Sequence, residues 1–306
     1  MSKPPWKSRL RSLRGRLLAT VLGGLGRWLG RRELATAQRL GRAIGRIAWW
    51  FGRRDRRRAL DHLTIAFPER SPRERRRLAR RSFLHLGTTL AETLRLAGGD
   101  CAELDRMVDV EGWERVEALR ATGRAIVILT GHCGNWEMLA ALINCRGLAM
   151  AVVGRRLEEP GLQAMLIGLR RRFGTETIER GEAGSARRLL ATVRGGGALG
   201  MLIDQDIRAE SVFVPFFGRP VHTPVGTAKL ALRLDAAVVP AFIERLPDGR
   251  HRAVFHPPLD LPADPTRATA AMTRAIEEQI RRVPEQWVWL HRRWRRQPLD
   301  SEARAS

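Results

Sequence analysis

The residues best suited to chemistry lie in one short stretch, "AIVILTGHCGNWEMLAALI", residues 125–143. An apolar run is interrupted there by His132, Cys133, Asn135 and Glu137, and then resumes. A connection that only links two buried elements needs a turn and a helix cap, but neither an imidazole nor a carboxylate. An imidazole oriented by a carboxylate is a general base, which can take a proton from a hydroxyl or an amine. The stretch therefore predicts a proton-transfer site at His132, oriented by Glu137.

These side chains also have ordinary structural interpretations. Glu137, in the first turn of a helix, could only offset the helix dipole, a contribution of about 0.3–1 kcal/mol. His132 could be a hydrogen-bonded loop histidine. Cys133 could be a nucleophile activated by His132, but adjacent residues rarely point into the same space, as a nucleophile and its base must. We favour a catalytic role for His132 and Glu137 because both lie at a sharp bend after a buried strand.

The surrounding sequence predicts the elements that hold this site. Residues 125–129 are predicted to form a buried strand and 136–145 a helix, with Gly131 and Gly134 allowing a sharp bend. Similar signals predict strands at 149–153, 198–203, 237–243 and 253–256, and helices at 72–97, 160–173, 185–193 and 265–282. Helix starts are marked by Ser71 with Pro72 and a capping-box Glu74, by Thr223 with Pro224, and by Asp264 with Pro265. Alternating strands and helices predict an α/β fold with a mostly parallel mixed sheet flanked by helices.

The composition is strongly basic. The chain has 306 residues, enough for one large or two small domains, and a formal net charge of +23. All but three of its 55 basic residues are arginine and it has no tyrosine, a pattern that codon bias in a GC-rich genome also produces. Such a charge creates a positive field over part of the surface. Nucleic acid, anionic lipid headgroups and acidic carrier proteins are all compatible partners.

The three cysteines, Cys101, Cys133 and Cys145, show neither a paired metal-ligand spacing nor a disulfide framework. We therefore expect free thiols in a reducing compartment. No cleavable signal peptide is evident, because no small-residue cleavage pattern follows a compact apolar core.

Residues 1–58 mix leucine, tryptophan and alanine with regularly spaced arginine. The longest uncharged run, residues 17–26, is far shorter than the about 20 residues that cross a bilayer. A basic amphipathic helix with aromatic residues near one face is expected to lie in the membrane interface. These aromatic residues are Trp28, Trp49, Trp50 and Phe51. A helix packed on the protein body, or a tilted spanning helix with snorkelling arginines, is the alternative. The predicted division is a membrane-anchoring segment, 1–58, and a catalytic domain, 59–300.

The sequence around His132 also resembles a motif of a known protein family. The stretch "GHCGNWE" resembles the H-x4-D/E motif of the lysophospholipid acyltransferase superfamily. More narrowly, the chain resembles the family that includes the late lauroyl and myristoyl acyltransferases of lipid A biosynthesis and the bacterial acyltransferases of phosphatidylinositol mannosides. The likeness covers about residues 45–296, including "RRALDHLTIAFPERSPRERR", "LRRRFG", "MLIDQDIRAESVFVPFFGRPVHTPVGTAKLA" and "PEQWVWLHRRWRR". Glu137 resembles the lipid A branch, because Asp is usual in the mannoside branch.

The resemblance implies a glycerolipid acyltransferase-like fold and transfer of a fatty acyl group from an acyl-carrier-protein (or coenzyme A) thioester to a hydroxyl of a lipid A precursor or related glycolipid. His132 would be the base and Glu137 its orienting carboxylate, with no covalent acyl-enzyme, metal or other cofactor. Arg170 matches the family's arginine that stabilises the thioester oxygen as it gains charge. Arg155 is a second candidate for binding the donor or a headgroup phosphate. Either arginine could instead be an ordinary solvated side chain.

Three more residues are substrate-binding candidates. Asp204 and Gln205 follow a predicted strand and so lie at the same edge of the sheet as His132. Asp204 could hold an arginine of the site, contact the acceptor sugar, or only terminate the strand. Asn135, near the predicted base, can also cap the following helix.

Two stretches are ambiguous. "FVPFFG", residues 213–218, suits an acyl chain or a bilayer contact if it is exposed, and core packing if it is buried. "WVWLHRRW", residues 287–294, suits base stacking, an interfacial belt or helix packing.

These features predict a peripheral acyltransferase on the cytoplasmic face of the bacterial inner membrane. Its basic surface would attract an acidic acyl carrier protein and an anionic bilayer. An acyltransferase for phosphatidylinositol mannosides, another glycolipid or a lysophospholipid is the alternative enzyme. A basic nucleic-acid-binding protein is the alternative of another class, which is disfavoured because it leaves His132 and Glu137 without a role.

Overall fold

The computed structural model of the protein describes residues 5–298. A seven-stranded sheet with helices on both faces forms its centre, beside a two-stranded hairpin. The strands are β1 (Val108–Glu111), β2 (Ile126–Thr130), β3 (Met150–Gly154), β4 (Glu176–Glu179), β5 (Ala198–Leu202), β6 (Ser211–Phe216), β7 (Arg219–Pro224), β8 (Ala237–Arg245) and β9 (His251–Phe255). The helices are α1 (Pro5–Leu29), α2 (Leu34–Phe51), α3 (Arg53–Ala66), α4 (Pro72–Arg95), α5 (Cys101–Met107), α6 (Trp113–Ala121), α7 (Trp136–Cys145), α8 (Pro160–Arg172), α9 (Ser185–Arg194), α10 (Gly226–Arg233) and α11 (Pro265–Arg282).

The large sheet has the strand order β1-β9-β8-β2-β5-β3-β4. Its neighbouring strands are parallel except for the antiparallel pair β8 and β9. The strands β8, β2, β5, β3 and β4 therefore share one direction, and their carboxyl ends lie along one edge. The predicted α/β fold with a mostly parallel mixed sheet flanked by helices is confirmed.

The central strand β2 is buried along its whole length. Because side chains alternate across a strand, its residues divide between two cores. Val127 and Leu129 join one core with α11 and the carboxyl-terminal tryptophans, while Ile126 and Ile128 join the other with α7. Burial on both faces fixes the position of the loop that follows β2.

Local sequence signals predict several element boundaries well. Helix α7 has the predicted bounds. Ser71 and Glu74 form a reciprocal capping box at the start of α4, which the sequence predicts from a serine followed three residues later by glutamate. Asp264 caps α11 by accepting from the backbone N–H of Arg267.

Two predictions about residues 213–224 are affected by the hairpin. The predicted helix start at Thr223 and Pro224 is wrong, because both residues pair with β6 as the end of β7 and α10 begins only at Gly226. In the stretch "FVPFFG", Phe216 and Phe217 are buried and pack on carboxyl-terminal tryptophans. Core packing, one of the two alternatives for this stretch, is therefore what these side chains do.

The cysteines are not all free. Cys101 and Cys145 form a disulfide, with their Cα atoms 5.3 Å apart, so the expectation of three free thiols is wrong for this pair. The short helix α5, which the sequence analysis does not predict, places Cys101 beside the end of α7. Cys133 is free and buried.

The amino-terminal helices pack on the protein body. Helix α2 approaches α4 closely at Gly41 and Gly45, where a Cβ on Gly41 would stand only 2.4 Å from the Cα of Thr88. Gln38 of α2 also donates a 2.9 Å hydrogen bond to the buried Glu92 of α4. None of the helices described for residues 5–298 combines the length and apolar character that crossing a bilayer requires. The division at residue 58 and the anchoring role stay predictions.

The aromatic residues at the end of α2 face different surroundings. Trp49 is buried, whereas Trp50 is 65% and Phe51 83% exposed. Only part of the predicted aromatic face is therefore available to an external partner.

Candidate active site

The pairing of two neighbouring strands brings His132 and Asp204 together. β2 and β5 are parallel, with Thr130 opposite Leu202. His132 and Asp204 each follow two residues later, so their side chains meet at the carboxyl edge of the sheet. Open α/β sheets bind ligands at this edge.

Asp204 accepts three hydrogen bonds. Its Oδ1 lies 2.8 Å from His132 Nδ1, and its Oδ2 accepts from the His132 backbone N–H at 2.7 Å and from Trp287 Nε1 at 2.8 Å. Because a carboxylate only accepts, Nδ1 carries a proton and Nε2 of the neutral ring is the acceptor. The His132 side chain is 21% exposed and lines a cleft, while Asp204 is buried behind it. This is the arrangement of an oriented general base.

The environment of Asp204 keeps it charged. Burial alone would raise the pKa of Asp204, but His132 and the hydrogen bonds from His132 and Trp287 hold that pKa well below its usual range. The carboxylate can therefore stabilise an imidazolium that forms at His132. The lack of a side chain at Gly131 lets the Asp204 carboxylate come close to the backbone of the loop, because a Cβ there would lie 3.2 Å from Asp204 Oδ2.

The carboxylate facing His132 is therefore a different one from that predicted. Glu137 binds Arg170 instead, accepting from Nε at 2.9 Å and from Nη2 at 2.7 Å. Arg170 also donates from Nη1 to Thr177 Oγ1 at 3.3 Å. The first turn of α7 directs Glu137 toward the end of α8, and β5 supplies the carboxylate for His132. Asp204, predicted to hold an arginine or contact a sugar, holds the histidine.

Arg170 belongs to the cleft as well as to this ion pair. Its side chain is 16% exposed and lines the cleft beside Glu137. A guanidinium has five N–H groups, of which three are engaged by Glu137 and Thr177. The bidentate pair fixes the plane of the guanidinium and leaves two N–H groups for a ligand.

The cleft has a volume of about 900 Å³ and mostly apolar walls. It extends from the carboxyl ends of β2, β3 and β5 between α4, α7 and α8. Its apolar lining includes Leu86, Leu90, Leu139, Ile143, Leu166 and Leu230. The volume is at the upper end of the range for small-molecule sites, and the lining suits a long apolar group.

The other predicted site residues separate into two groups. Arg155 and Gln205 line the cleft together with Arg170. Asn135 is fully buried outside the cleft lining, where its side chain accepts from Met138 N at 3.1 Å and caps α7. The structure therefore gives Asn135 a structural contact in place of the predicted substrate contact.

The thiol of Cys133, next to His132, is buried. Cys133 is 2% exposed, and burial, with the nearby charge of Asp204, raises the pKa of its thiol well above the usual value. A thiolate is the nucleophilic form of cysteine. This environment opposes the alternative in which Cys133 is a nucleophile.

A buried polar network supports the loop that carries His132. The Gly134 carbonyl lies 3.2 Å from His85 Nε2, and His85 Nδ1 lies 2.6 Å from Arg245 Nη1. Since arginine only donates, Nδ1 accepts and Nε2 donates to the loop. Arg245 is held by two hydrogen bonds of 2.7 and 2.6 Å to the fully buried Glu92. These contacts with α4 and β8 therefore hold the bend after β2 in place.

Sequence reasoning misses two members of the site. Trp287 donates to Asp204, and His291 Nε2 accepts from the backbone N–H of Asp206 at 3.0 Å beside the site. Both belong to the aromatic-basic stretch 287–294, which on its own pattern fits several roles. The alternation of aromatic and basic residues marks the stretch as unusual but does not show that it packs against β5.

An imidazole hydrogen-bonded to a buried carboxylate beside a long apolar cleft suits acyl transfer to a lipid hydroxyl. Residues 19–296 match the family model described as bacterial lipid A biosynthesis acyltransferase, and the chain belongs to this family of acyltransferases. It is 27% identical to the lipid A biosynthesis acyltransferase of Haemophilus influenzae, over 90% of this chain and 80% of that protein. It is 29% identical to the lipid A biosynthesis lauroyltransferase of Escherichia coli, over 78% of each chain. It is also 29% identical to a phosphatidylinositol mannoside acyltransferase of Mycobacterium tuberculosis, over 63% of this chain and 61% of that protein.

Proposed function

We propose that the protein transfers a fatty acyl group from an acyl-carrier-protein or coenzyme A thioester to a hydroxyl of a lipid A precursor or a related glycolipid. The observation that carries this proposal is the His132–Asp204 pair, which opens into an apolar cleft of about 900 Å³ in a chain of the lipid A acyltransferase family. The cleft would hold the acyl chain, and the base would act at its polar end.

His132 is the general base of the proposed reaction. Its Nε2 removes the proton from the acceptor hydroxyl while the hydroxyl oxygen attacks the thioester carbonyl carbon. Asp204 stabilises the imidazolium through the 2.8 Å hydrogen bond to Nδ1. The carbon–sulfur bond then breaks, and the imidazolium returns the proton to the departing thiolate. Transfer is direct, so Cys133 forms no acyl intermediate.

Arg170 is the proposed electrophilic partner. The thioester oxygen gains negative charge in the transition state, and a fixed cation nearby lowers the energy of that state. The bidentate pair with Glu137 holds the guanidinium in one plane at the cleft wall. Glu137 therefore acts on the reaction through Arg170 rather than through His132.

Peripheral association with the cytoplasmic face of the membrane is part of the proposal. Ile47, Trp50 and Phe51 are exposed at the end of α2. Arg46 and Arg53 line the same surface depression. Exposed apolar and aromatic side chains beside arginines are typical of proteins that rest in an anionic membrane interface.

The alternative acceptor is a phosphatidylinositol mannoside, and the mycobacterial relative supports it. Glu137 favours the lipid A branch, on the resemblance that the sequence shows. Both acceptors use the same base and cleft, so a direct comparison of acceptors separates them.

The decisive experiment combines the purified protein with labelled acyl-carrier-protein and coenzyme A thioesters. Each is offered with a lipid A precursor, a phosphatidylinositol mannoside and a lysophospholipid in neutral detergent, and the acylated lipid is identified by mass spectrometry. We expect transfer to the lipid A precursor, and a loss of transfer in His132→Ala.

The matched control is His256→Ala. His256 is partly buried at the opposite edge of the sheet, where its backbone N–H binds the Pro240 carbonyl. Full transfer by His132→Ala, or absence of transfer to every glycolipid by wild type, would refute the proposed function.

A further inference from the structure

A second polar cluster lies beside the active site, on residues that the proposed reaction does not use. Its centre is Asp206, whose side chain is completely buried. One oxygen, Oδ2, lies 3.0 Å from Arg295 Nε, and Oδ1 lies 3.2 Å from His222 Nδ1 and 3.5 Å from Arg296 Nη1. The hairpin and the carboxyl-terminal segment thus converge on one carboxylate.

A third arginine stands behind this cluster. Arg293 is fully buried and donates to the carbonyl of His222 at 2.8 Å and to Thr223 Oγ1 at 2.6 Å. Burial lowers the pKa of Arg293 to about 10, so the side chain is still protonated at neutral pH. Its hydrogen-bond partners are neutral, and its buried Nε has no partner among residues 5–298. A buried cation of this kind adds positive potential to the surface above it.

The cluster contains more positively charged side chains than its buried carboxylate can neutralise. Two arginines contact Asp206 and a third, Arg293, is buried nearby, while the charge of Asp204 is already engaged by His132. Arg295 is 44% and Arg296 35% exposed. The described part of the chain gives no hydrogen-bond partner to the two terminal nitrogens of Arg295. These donors can bind an anion from solution while Nε remains on Asp206.

The cluster adjoins the reacting atoms. Asp206 follows Asp204 by two residues, and its neighbours Gln205 and Ile207 line the cleft. Its backbone N–H binds His291 Nε2, and the charge of His132 acts on the pKa of His291. A group bound by Arg295 would therefore lie near the end of β5 that carries Asp204 and, beside it, His132.

We infer that Arg295 and Arg296 form an anion subsite that binds a phosphate group of a substrate positioned at His132, while His222 is engaged by Asp206 and by Arg296. This inference rests on the proposed function and names a chemical feature of its substrate. Arginine suits the role because its planar fork binds phosphate oxygens in a bidentate manner. Phosphate is available from two sources: a phosphorylated glycolipid acceptor, or the phosphopantetheine arm of the thioester donor.

The competing interpretation is a latch in which the arginines only fasten the carboxyl-terminal segment to Asp206. Both interpretations are tested with Arg295→Gln and the double variant Arg295→Gln/Arg296→Gln. Arg124→Gln is the matched control, since Arg124 binds Asp235 at 3.0 Å with a side chain that is 45% exposed, at the opposite edge of the sheet. Arg295→Lys keeps the charge but removes the fork.

The kinetic arms measure KM and kcat for acceptor and donor separately, in neutral detergent. A charge-assisted hydrogen bond is worth about 1.5–3 kcal/mol, so the double variant should raise one KM by roughly 10- to 150-fold with a much smaller effect on kcat. A higher KM for a phosphorylated acceptor, but not for the same lipid without phosphate, assigns the phosphate to the acceptor. A higher KM for the donor alone assigns it to the donor. Arg295→Lys should fall between wild type and the glutamine variant.

A binding arm does not depend on turnover. His132→Ala protein is titrated with the phosphorylated glycolipid and with inorganic phosphate at constant ionic strength, using tryptophan fluorescence. Saturable phosphate binding that is lost in the double variant and kept in Arg124→Gln supports the subsite even if no acyl transfer is detected. Unchanged KM values and unchanged phosphate binding, with only a lower melting temperature in the double variant, would establish the latch and overturn the inference.

Discussion

The substitution Asp204→Asn separates the role of this carboxylate from that of Glu137. Asp204 faces three donors: His132 Nδ1 on one oxygen, and the His132 backbone N–H and Trp287 Nε1 on the other. An asparagine has only one acceptor oxygen. That oxygen satisfies two donors if it faces the backbone N–H and Trp287, and the amide NH₂ then faces Nδ1. The imidazole must then adopt the tautomer that carries its proton on Nε2. In that tautomer Nε2 cannot act as a base.

The expected loss follows from this wrong tautomer. The same change in the triad of a serine protease lowers kcat by about 10⁴-fold, which corresponds to about 5 kcal/mol of transition-state stabilisation. Glu137→Gln keeps one hydrogen bond to Arg170 and removes one charge-assisted bond, worth about 1.5–3 kcal/mol, or roughly 10- to 150-fold in rate. Asp204→Asn should therefore be more than tenfold slower than Glu137→Gln.

The assay is the initial rate of acyl transfer at saturating donor and acceptor. Circular dichroism and melting temperature identify any variant that has lost its fold. Trp287→Phe removes one donor but leaves the His132 backbone N–H as a donor to the same oxygen, so it should restore little activity to Asp204→Asn. If Glu137→Gln is the slower enzyme, or if Asp204→Asn keeps more than a tenth of wild-type kcat, the assignment of Asp204 as the orienting group fails.

Three further outcomes are expected. Cys133→Ala keeps most of the acyl-transfer rate, and a trapped acyl-protein that disappears in this variant would contradict direct transfer. Glu92→Gln lowers the free energy of unfolding by about 3–5 kcal/mol, because Arg245 stays buried without its counter-charge. Burial raises the pKa of Glu92, but Arg245 and His251 hold it below the usual range. The difference in the free energy of unfolding between wild type and Glu92→Gln should therefore be complete above about pH 4.5 and shrink as the pH falls further. Urea titrations at several pH values measure this difference. Trp50→Ser/Phe51→Ser weakens cosedimentation with anionic vesicles at low salt; unchanged binding would contradict the proposed membrane surface.

The sequence predicts those features that depend on neighbouring residues. The bounds of α7, the capping box of Ser71 and Glu74, and the buried strand before His132 follow from local patterns of burial and capping. The position of His132 at a strand end follows from the same patterns, because a loop after a buried parallel strand opens at the ligand-binding edge.

The partner of His132 depends instead on strand order. Asp204 is 72 residues away and reaches His132 because β5 is the neighbour of β2. No local pattern states which strands are adjacent, whereas Glu137 is close in sequence and therefore looks like the natural partner. The predicted helix start at Thr223 fails for a related reason: pairing with β6 overrides a good capping signal.

The proposed functional residues beside the cleft are each paired with a buried acid. With 55 basic and 32 acidic residues, a single arginine conveys little about function. A buried carboxylate, in contrast, is costly unless a partner neutralises it, so it persists where it fixes that partner. Three acidic side chains beside the cleft are at most 10% exposed, and they hold the proposed base, the proposed oxyanion donor and a proposed phosphate ligand. These pairs are Asp204 with His132, Glu137 with Arg170, and Asp206 with Arg295. Neutralising each acid should therefore impair a different step: proton transfer, stabilisation of the thioester oxygen, and substrate binding.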